Sequence, residues 1–422
     1  MSHKKDDSQW PYAQIEHWPP MTYRNRLKPS SESIRNLNDF LNTENSKLQN
    51  REIQPWIPFC EGRCSFCYFP VRCERETVAS YLAALKKALS LYSENKYVKS
   101  SFFNELYVGG GSPSVLQKDQ IVDLLQFCRK TFNLSETATT KFTACTNSLS
   151  EEKIDLLASN NVDQLDIGIQ TFDDSLRKIL ALRDTAQEAK KKLRIAKKHD
   201  LNISIDLLYN LPGQTVDQWQ DDIKQALELE VESVDCYPLD LYSNTPLARR
   251  ITEKELPYGD TATELKMYLD AYSIFKENGY LPTCHNRFSR LKEDFNEPSS
   301  EVVGSGAGFF MGHIGNFLYS DIVKVEDYIT SVKAGSLPIA RLATLSREDE
   351  MRRAMMMVYI RIPVDRAAFK AKFGIFPEDA FPEAIEKLRQ KNLITINNGK
   401  IRLTEEGDPW RFNISWEFFN SR

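Results

Sequence analysis

The 422-residue chain contains 41% hydrophobic residues and carries a formal net charge of −4. Its length and composition suffice for one large domain and a smaller one. The negative charge argues against a nucleic-acid-binding surface. No apolar run approaches the ~18 residues of a membrane span, and no signal-peptide core is evident, so we expect a cytoplasmic protein. The eight cysteines lack the spacing of a small secreted domain, which fits a reducing compartment.

The first part of the chain predicts an α/β barrel. From about residue 52 to 250, short apolar runs alternate with helix-length segments. The predicted strands are, in order, EIQPWIPF, FFNELYVGGG, KFTACTNSL, DQLDIGIQ, ISIDLLYNLPG and SVDCYPLDLY. This alternation indicates parallel strands with right-handed crossovers. Six such units favour a partial (β/α)6 TIM-like barrel, whose site would lie at the carboxyl ends of the strands.

The pattern changes after about residue 255. A helix, TATELKMYLDAYSIFKENG, precedes a strand-like LPTCHNRFSR and a glycine-rich EVVGSGAGFFMG. Two further helices, SREDEMRRAMMMVYI and PEDAFPEAIEKLRQKN, are followed by LITINNGKIRLT, a hairpin with an Asn-Gly turn. This pattern predicts a C-terminal winged-helix-like α+β domain. Because it lacks an excess of basic residues, a lid or packing role is favoured over DNA binding.

These segments give four predicted domains. They are an irregular N-terminal lead-in (1–50), a barrel core (51–255), a barrel-closing extension (256–345) and a winged-helix-like domain (346–422).

Three cysteines follow the first predicted strand in the run PFCEGRCSFCYFP. Cys60, Cys64 and Cys67 offer three thiolates within one short loop. A 4Fe-4S cluster normally takes four cysteine thiolates, so three leave one iron open, as in reactive metal sites. The spacing alone leaves two alternatives, a zinc site completed by Cys73 and reduced cysteines without a metal.

A glycine turn closes the second predicted strand. Gly109, Gly110, Gly111 and Ser112 precede a proline. Three glycines let a ligand approach the backbone closely and reach its N–H and C=O groups. A glycine-rich turn alone is a weak signal, but its position one strand after the cysteine loop makes it a candidate ligand-binding turn.

The cysteine triplet followed by Gly-Gly-Gly-Ser-Pro resembles the radical S-adenosylmethionine (SAM) superfamily. From about residue 52 to 420 the chain resembles its HemN-like family, through the motifs IGIQTFDD, LRKILALRDTAQEA, IDLLYNLPGQT and the C-terminal segments. That family includes oxygen-independent coproporphyrinogen III oxidase, the heme chaperone HemW and class C radical SAM methyltransferases. The resemblance implies a 4Fe-4S cluster on Cys60, Cys64 and Cys67, with SAM chelated at the open iron. It further implies reductive cleavage of SAM to a 5′-deoxyadenosyl radical.

The resemblance also assigns roles to single residues. Those expected to contact SAM are Phe66, Gly109, Gly110, Gly111, Ser112, Asn147, Gln170, Arg183, Asp206 and Gly306. Phe66 is expected near the adenine, and Gly306 in a loop with Gly304 and Gly308 that closes the barrel mouth. Gln170, Arg183 and Asp206 are expected to line the site of a second SAM or of the substrate.

Arg183 and Asp206 are the candidate catalytic residues. The alternatives are that Gln170 is an ordinary polar strand end, that Arg183 is a surface cation, and that Arg183 and Asp206 form a structural ion pair. A carboxylate on an apolar strand is costly to bury unless it is paired or bound. Among Gln170, Arg183 and Asp206, Asp206 is therefore the hardest to explain without a ligand.

The sequence departs from the family at the third strand and before the cysteine loop. Cys145-Thr146-Asn147-Ser148 stands where the family has Glu-x-Asn-Pro, so only the asparagine of that SAM-ribose motif is kept. The Tyr-x-His of coproporphyrinogen oxidase is replaced by Gln54 and Trp56, and its extra cysteine by Phe69. These replacements argue against coproporphyrinogen oxidation.

The heme-chaperone motif His-Asn-x-x-Tyr-Trp also has no full counterpart. Its best match, residues 295–300, lacks His, Tyr and Trp. His285-Asn286 lies upstream as an alternative, and His313 is predicted to be a packing or surface histidine.

The sequence therefore predicts a HemN-like radical SAM enzyme. We expect a second SAM as one-carbon donor to an unsaturated or aromatic small molecule, by methyl transfer or cyclopropanation. The alternatives are a heme-binding or trafficking protein and an enzyme of porphyrin decarboxylation or ring opening. The expected partner is an electron donor such as flavodoxin or ferredoxin, with no nucleic acid and no membrane, and the protein is expected to be a monomer.

Overall fold

The computed structural model describes residues 10–20, 27–45, 51–291, 301–356 and 361–420. The predicted match to the heme-chaperone motif at 295–300 lies outside these residues. The strands are β1 Arg51–Ile57, β2 Phe103–Gly110, β3 Leu134–Cys145, β4 Gln164–Gln170, β5 Asn202–Tyr209, β6 Ser233–Pro238, β7 Leu281–Pro282, β8 Arg287–Ser289, β9 Glu301–Ser305, β10 Met311–Ile314, β11 Phe317–Asp321, β12 Ile339–Thr344, β13 Val364–Asp365, β14 Ile394–Asn397 and β15 Lys400–Leu403.

The helices surround the sheet and build the C-terminal region. They are α1 Ser31–Leu41, α2 Val78–Ser93, α3 Lys96–Lys99, α4 Lys118–Thr131, α5 Glu151–Ser159, α6 Asp174–Ile179, α7 Ala186–Ala196, α8 Val216–Glu228, α9 Pro246–Thr252, α10 Thr261–Glu277, α11 Val325–Lys333, α12 Arg347–Met356, α13 Arg366–Phe373, α14 Pro377–Ala380, α15 Pro382–Gln390 and α16 Arg411–Asn420. In the described part of the chain, none of the helices combines the length and apolarity needed to cross a lipid bilayer.

The six predicted strands form one parallel sheet in chain order. Strands β1 to β6 pair as consecutive parallel neighbours. Their outward-facing residues are apolar and fully buried beneath the crossover helices, as Ile53, Phe142 and Ile205 show. The partial α/β barrel predicted from the sequence is confirmed.

The extension after residue 255 adds strands to both edges of this sheet. Strand β9 pairs in parallel with β1, and β10, β11 and β12 follow in antiparallel order. At the other edge, β8 and β7 pair antiparallel to β6. Because β7 and β12 lie at opposite ends of the 12-stranded order, the barrel stays open between them.

The glycine-rich segment is therefore partly strand and not only a loop. Gly304 lies within β9, beside Gln54 of β1. A Cβ at Gly304 would lie 2.1 Å from the Gln54 carbonyl oxygen, and one at Gly306 would lie 2.6 Å from that of Trp56. These two glycines allow β9 and the residue after it to lie close against β1.

Residues 361–420 form the predicted α+β unit, with differences in its helices. Strands β14 and β15 form the hairpin, and Asn398 and Gly399 both have positive φ, at 52° and 72°, as a two-residue Asn-Gly turn requires. The predicted helix over 377–392 is divided at Phe381 (φ −135°), because Pro382 disfavours helical geometry in the residue before it. Helix α13, ended by Gly374 in the left-handed region, was not predicted.

The N-terminal segment 10–20 is irregular, as predicted, but it packs against the rest of the molecule. Asn413 of α16 accepts a hydrogen bond from Glu16 N at 3.0 Å and donates one to the Gln14 carbonyl at 3.0 Å. At its other end, Trp18 Nε1 donates to Asp240 at 2.7 Å. The segment thereby links the last helix to the loop after β6.

Candidate functional site

The cysteine loop starts directly after β1 and is held on both sides. Cys60 N donates to the Arg72 carbonyl and Arg72 N donates to the Pro58 carbonyl, each at 2.8 Å. On the other side, Ser65 N donates to the Leu180 carbonyl at 2.9 Å, just past α6. The buried Ser65 thus fixes the middle of the loop against the end of the fourth βα unit.

The three thiols of this loop are free and partly buried. Burial raises the pKa of the Cys60 thiol, and the thiols of Cys145, Cys67 and Cys64 raise it further. Burial and the neighbouring thiols of Cys145 and Cys67 raise the pKa of Cys64 to about 12, although Arg177 and Arg183 lower it. A cationic iron cluster would remove this penalty, because metal binding deprotonates a thiol. The donor set therefore fits the cluster that the sequence predicts.

A mononuclear site is a different arrangement. Among the residues that the structure describes, no three His, Cys, Asp or Glu side chains form a group that could hold a single metal ion. The cysteines of a four-iron cluster need not converge on a single ion, because each of them binds a different iron. Cys73, the expected fourth ligand of a zinc site, is exposed.

The glycine turn packs against the backbone of β1 and the cysteine loop. Gly110 has a φ of +136°, and a Cβ there would lie 2.3 Å from the Ile57 carbonyl oxygen. A Cβ at Gly111 would lie 2.8 Å from Cys60 Sγ. The Gly111 and Ser112 N–H groups donate to the Ile57 and Phe59 carbonyls, each at 2.8 Å. These two donors are already used, so an amino group of SAM would have to bind carbonyl oxygens of the turn.

The Ser112 side chain is fully buried and holds the turn to the end of β3. Its hydroxyl accepts a hydrogen bond from Cys145 N at 3.1 Å and contacts the Ser114 hydroxyl at 3.0 Å. Ser148 completes the group, 2.6 Å from the Ser114 hydroxyl. The Ser112 side chain is thus engaged in the protein interior, and its predicted contact with SAM would have to use its backbone.

Arg183 and Asp206 do not meet as an ion pair within the described residues. The exposed Arg183 lies over the cysteine loop, where a Cβ at Gly62 would lie 2.2 Å from Arg183 Nε. Asp206 lies inside β5 rather than at its end. The residue next to it on β6 is Asp235. The structural ion pair between Arg183 and Asp206 is therefore not formed.

Asp206 faces a charged barrel interior that the sequence reading missed. Arg287 donates from Nε and Nη2 to Asp235 Oδ2 at 2.9 and 2.8 Å and lies 3.6 Å from Asp166. On the neighbouring strands, Lys141 pairs with Glu105 at 2.9 Å. Charged residues at alternate positions of apolar strands were the available signal, because such positions face one side of a sheet.

Asp206 is the carboxyl of this interior without a hydrogen bond or ion pair among the described residues. Burial raises its pKa to about 8, and the nearby Asp235 and Asp166 carboxylates contribute. It is thus protonated at neutral pH and can act as a hydrogen-bond donor. An unpartnered carboxyl facing the lumen is a candidate ligand contact.

The other predicted residues lie around the same end of the barrel. Gln170 has a φ of +70° at the end of β4, and its Nε2 would lie 2.8 Å from a Cβ on Gly168. Phe66 packs beside an apolar cluster that contains Leu208, near the end of β5, and Leu239, directly after β6. Asn147 lies partly exposed in the short turn after β3.

Sequence reasoning also missed Arg177. This buried guanidinium donates to the Ile169 and Thr171 carbonyls, each at 2.9 Å, and pairs with Asp184 at 2.5 Å. It fixes the turn after β4 against the segment that carries Arg183.

Aromatic rings form a cluster at the mouth next to the cysteine loop. Tyr68 stacks on Tyr242 with ring centroids 3.9 Å apart. Phe69 stacks on Phe309 at 5.2 Å and an interplanar angle of 5°. Trp56 lies 6.1 Å from Phe69. Phe309 is part of the glycine-rich segment, which therefore reaches the rim of the site.

His285 and Asn286, the alternative match to the heme-chaperone motif, do not belong to the cysteine loop or the glycine turn. Asn286 is buried and accepts a hydrogen bond from Arg411, and the His285 carbonyl accepts one from Arg411 Nε at 2.7 Å. The same turn receives Arg361, which pairs with Asp408 at 2.6 Å. The contacts of His285-Asn286 thus join the barrel edge to the C-terminal domain.

Family models match both parts of the chain. Residues 55–226 match the radical SAM superfamily, and residues 345–410 match the HemN C-terminal domain. The chain thus contains a radical SAM domain followed by a HemN C-terminal domain. The cofactors of a radical SAM domain are a 4Fe-4S cluster and SAM.

Several curated proteins are similar over most of their length. Anaerobilin synthase of Escherichia coli is 23% identical over 93% of this chain and 89% of its own length. Heme chaperone HemW of Lactococcus lactis is 26% identical over 86% of this chain and 95% of its own. The solved structure of coproporphyrinogen III oxidase (HemN) from Escherichia coli covers 96% of this chain and 99% of its own, with a TM-score of 0.83 and 19% identity. That structural likeness shows the fold.

Proposed function

We propose that this protein is a radical SAM enzyme that transfers a one-carbon unit from a second SAM to a planar, unsaturated substrate. The observation that carries the proposal is the cluster of stacked aromatic side chains beside the cysteine loop. Tyr68-Tyr242 and Phe69-Phe309 present flat apolar surfaces at the barrel mouth. Aromatic faces of this kind favour flat, conjugated ligands.

Tetrapyrroles are the substrate class to test first. They are flat and conjugated when oxidised, as in heme, and the names of two relatives, heme chaperone and coproporphyrinogen III oxidase, refer to tetrapyrroles. Gln54, Trp56 and Phe69 still stand where coproporphyrinogen oxidase has its Tyr, His and extra Cys, so the proposed reaction on this class is one-carbon transfer or ring opening rather than decarboxylation.

The chain's own residues would bind, orient and shield. Cys60, Cys64 and Cys67 would hold the cluster, and the turn at Gly109–Ser112 would bind SAM. When bound, the cluster and SAM supply a carbon-centred radical that can remove a hydrogen atom from a neighbouring carbon. Asp206, protonated at neutral pH, would donate a hydrogen bond to the second SAM or the substrate. Phe309 and the segment before it would limit solvent access at the mouth.

Anaerobic reconstitution with iron, sulfide, SAM and dithionite tests this proposal. Mass spectrometry after incubation with a panel of tetrapyrroles should find both 5′-deoxyadenosine and S-adenosylhomocysteine, together with a substrate heavier by one carbon unit. Production of 5′-deoxyadenosine without S-adenosylhomocysteine would reject one-carbon transfer.

The second candidate is a heme-trafficking protein, which the HemW relatives favour. It predicts stoichiometric heme binding with no SAM turnover in the same assay. An electron donor such as flavodoxin or ferredoxin remains part of the enzyme proposal, because the cluster must be reduced before each turnover.

A further inference from the structure

A fourth cysteine, Cys145, lies next to the predicted cluster loop. It is the last residue of β3, on the face of that strand that points into the barrel. The preceding residues of that face, Lys141 and Thr143, contact Glu105 and Tyr107 of β2. Because side chains alternate along a strand, Cys145 follows them on the same face, at the mouth.

Cys145 lies beside the glycine turn that packs against Cys60. Ser112 N donates to the Phe59 carbonyl at 2.8 Å, and Ser112 Oγ accepts from Cys145 N at 3.1 Å. At the preceding residue, a Cβ on Gly111 would lie 2.8 Å from Cys60 Sγ. Two consecutive residues of the turn therefore pack against Cys60 and bond to Cys145, which places both cysteines at the same short turn.

The electrostatics agree with this placement. Among the ionisable neighbours that raise the pKa of Cys60 and of Cys64, Cys145 has the largest effect in both cases. Burial raises the pKa of Cys145 itself to about 11, while the Ser112 hydroxyl acts in the opposite direction. Cys145 is thus a fourth thiol near the cluster loop, although three suffice for the SAM-binding form of the cluster.

We propose that Cys145 is an exchangeable fourth ligand of the cluster. In the absence of SAM, its thiolate binds the iron that Cys60, Cys64 and Cys67 leave open. When SAM arrives, the bond between Cys145 Sγ and this iron breaks, and the amino and carboxylate groups of SAM bind the iron. The thiolate takes up the proton that the ammonium group of SAM loses when its nitrogen binds. No electron is transferred in this exchange. The inference rests on the proposed cluster site.

Iron chemistry explains the benefit of such an exchange. A thiolate is a soft ligand that suits iron–sulfur clusters. An iron without a protein ligand is the one most readily lost on oxidation, so a fourth thiolate would preserve the cluster between turnovers.

Three matched proteins test this exchange. They are the full-length wild type, Cys145→Ala and, as a control, Cys73→Ala, since the Cys73 thiol is exposed beside the same loop.

The experiment measures retention of the fourth iron. Each protein is reconstituted anaerobically, treated with one equivalent of ferricyanide without SAM, and examined by iron analysis and electron paramagnetic resonance. We expect the wild type and Cys73→Ala to retain their cluster iron. Cys145→Ala should lose one iron per cluster and show a three-iron signal. Equal loss from the wild type and Cys145→Ala would overturn the proposal.

A second variant covers the case in which Cys145→Ala assembles no cluster. Cys145→Val keeps the approximate size of the side chain but removes every atom that could bind iron, and it should lose the fourth iron as Cys145→Ala does. Retention of that iron by Cys145→Val would also overturn the proposal. Formation of 5′-deoxyadenosine by the untreated wild type is measured in parallel. Its absence would count against the proposed function, whereas the ferricyanide result depends only on the ligand set.

Discussion

At the scale of single residues, four cysteines near the mouth carry different expectations. Cys60, Cys64 and Cys67 lie in a loop whose backbone is bonded on both sides, whereas Cys73 is exposed after it. A thiol that serves as a ligand should be needed for cluster assembly, and one that does not should be replaceable.

We predict that alanine at Cys60, Cys64 or Cys67 abolishes the 4Fe-4S cluster, and that Cys73→Ala retains it. The measurement is iron and sulfide content together with the visible absorbance of the cluster after anaerobic reconstitution. Loss of the cluster in Cys73→Ala to the same degree as in Cys67→Ala would show that the ligand set is different.

Asp206 should affect both activity and the pH dependence of stability. Its folded pKa, about 8, lies above the unfolded value near 3.9. The folded state therefore holds an extra proton between these values, and stability falls as pH rises through this range. Asp206→Asn mimics the protonated form, so its melting temperature relative to the wild type should rise between pH 6 and pH 8 and level off above pH 8. The wild type loses about 1.4 kcal/mol of stability for each pH unit between about 4 and 8.

Asp206→Ala should retain iron but lose S-adenosylhomocysteine formation, because alanine cannot donate the proposed hydrogen bond to the second SAM or the substrate. Asp206→Asn keeps a hydrogen-bond donor and is the matched control, which should form more product than Asp206→Ala. If Asp206→Ala showed wild-type product formation, Asp206 would have no place in the proposed second SAM or substrate pocket.

Arg183 should matter for product and not for stability. Its side chain is exposed over Gly62, and surface changes of this kind alter stability by about 0.5 kcal/mol or less. We expect Arg183→Met to melt within a degree or two of the wild type, to bind iron, and to form little S-adenosylhomocysteine. A large drop in melting temperature with unchanged activity per folded molecule would instead make Arg183 structural.

At the scale of elements, the junction of β1, β2 and the cysteine loop is the most closely packed part of the site. The initial interpretation of the glycine turn is that a side chain at Gly110 would occupy the space of SAM. In the structure, that side chain would meet the backbone of Ile57, 2.3 Å from its carbonyl oxygen and 2.6 Å from its nitrogen. A substitution would therefore disturb the strand that leads into the cysteine loop.

We predict that Gly110→Val lowers both the melting temperature and the iron content. Gly279→Val is the matched control, because Gly279 also has a positive φ, +80°, but nothing within 4 Å of its Cβ position. The destabilisation of Gly279→Val measures the cost of backbone strain alone, about 1–2 kcal/mol. Full iron content in Gly110→Val together with lost SAM cleavage would restore the interpretation in which the side chain excludes the ligand.

At the scale of the whole molecule, the segment 10–20, which is bonded to the last helix through Asn413, is held to the barrel by a buried charge. His17 Nε2 lies 2.9 Å from Glu264 Oε1 and its Nδ1 lies 3.7 Å from Asp240 Oδ1. Burial lowers the pKa of His17, but the hydrogen bonds to Asp240 and Glu264 outweigh it and the pKa rises to about 9.

The raised pKa predicts a loss of stability at high pH. The unfolded value is near 6.5, so the contribution of His17 is complete below that pH and is lost as pH rises through about 9. We expect His17→Gln to melt earlier than the wild type at pH 7 and at nearly the same temperature at pH 10. The control is His199→Gln, at a partly exposed pair with Asp155. A pH-independent difference for His17→Gln would mean that packing, and not charge, holds the segment.

The local features of this protein follow from the sequence alone. The six parallel strands, the cysteine loop and the Asn398-Gly399 turn each depend on residues close together in the chain. Hydrophobic periodicity, ligand spacing and glycine dihedrals are properties of such short segments. For the same reason the sequence already places the cysteines and the glycine turn at one end of the barrel.

The tertiary structure alone decided which distant side chains meet. It separates Arg183 from Asp206, joins Asp235 to Arg287, and brings Cys145 to Ser112 of the glycine turn. These contacts link strands that are far apart in sequence, and they depend on register, since a shift of one residue would turn each side chain to the other face. The spacing of motifs carries no information about that register. The charged lumen and the fourth thiol therefore emerge only when the sheet closes around them.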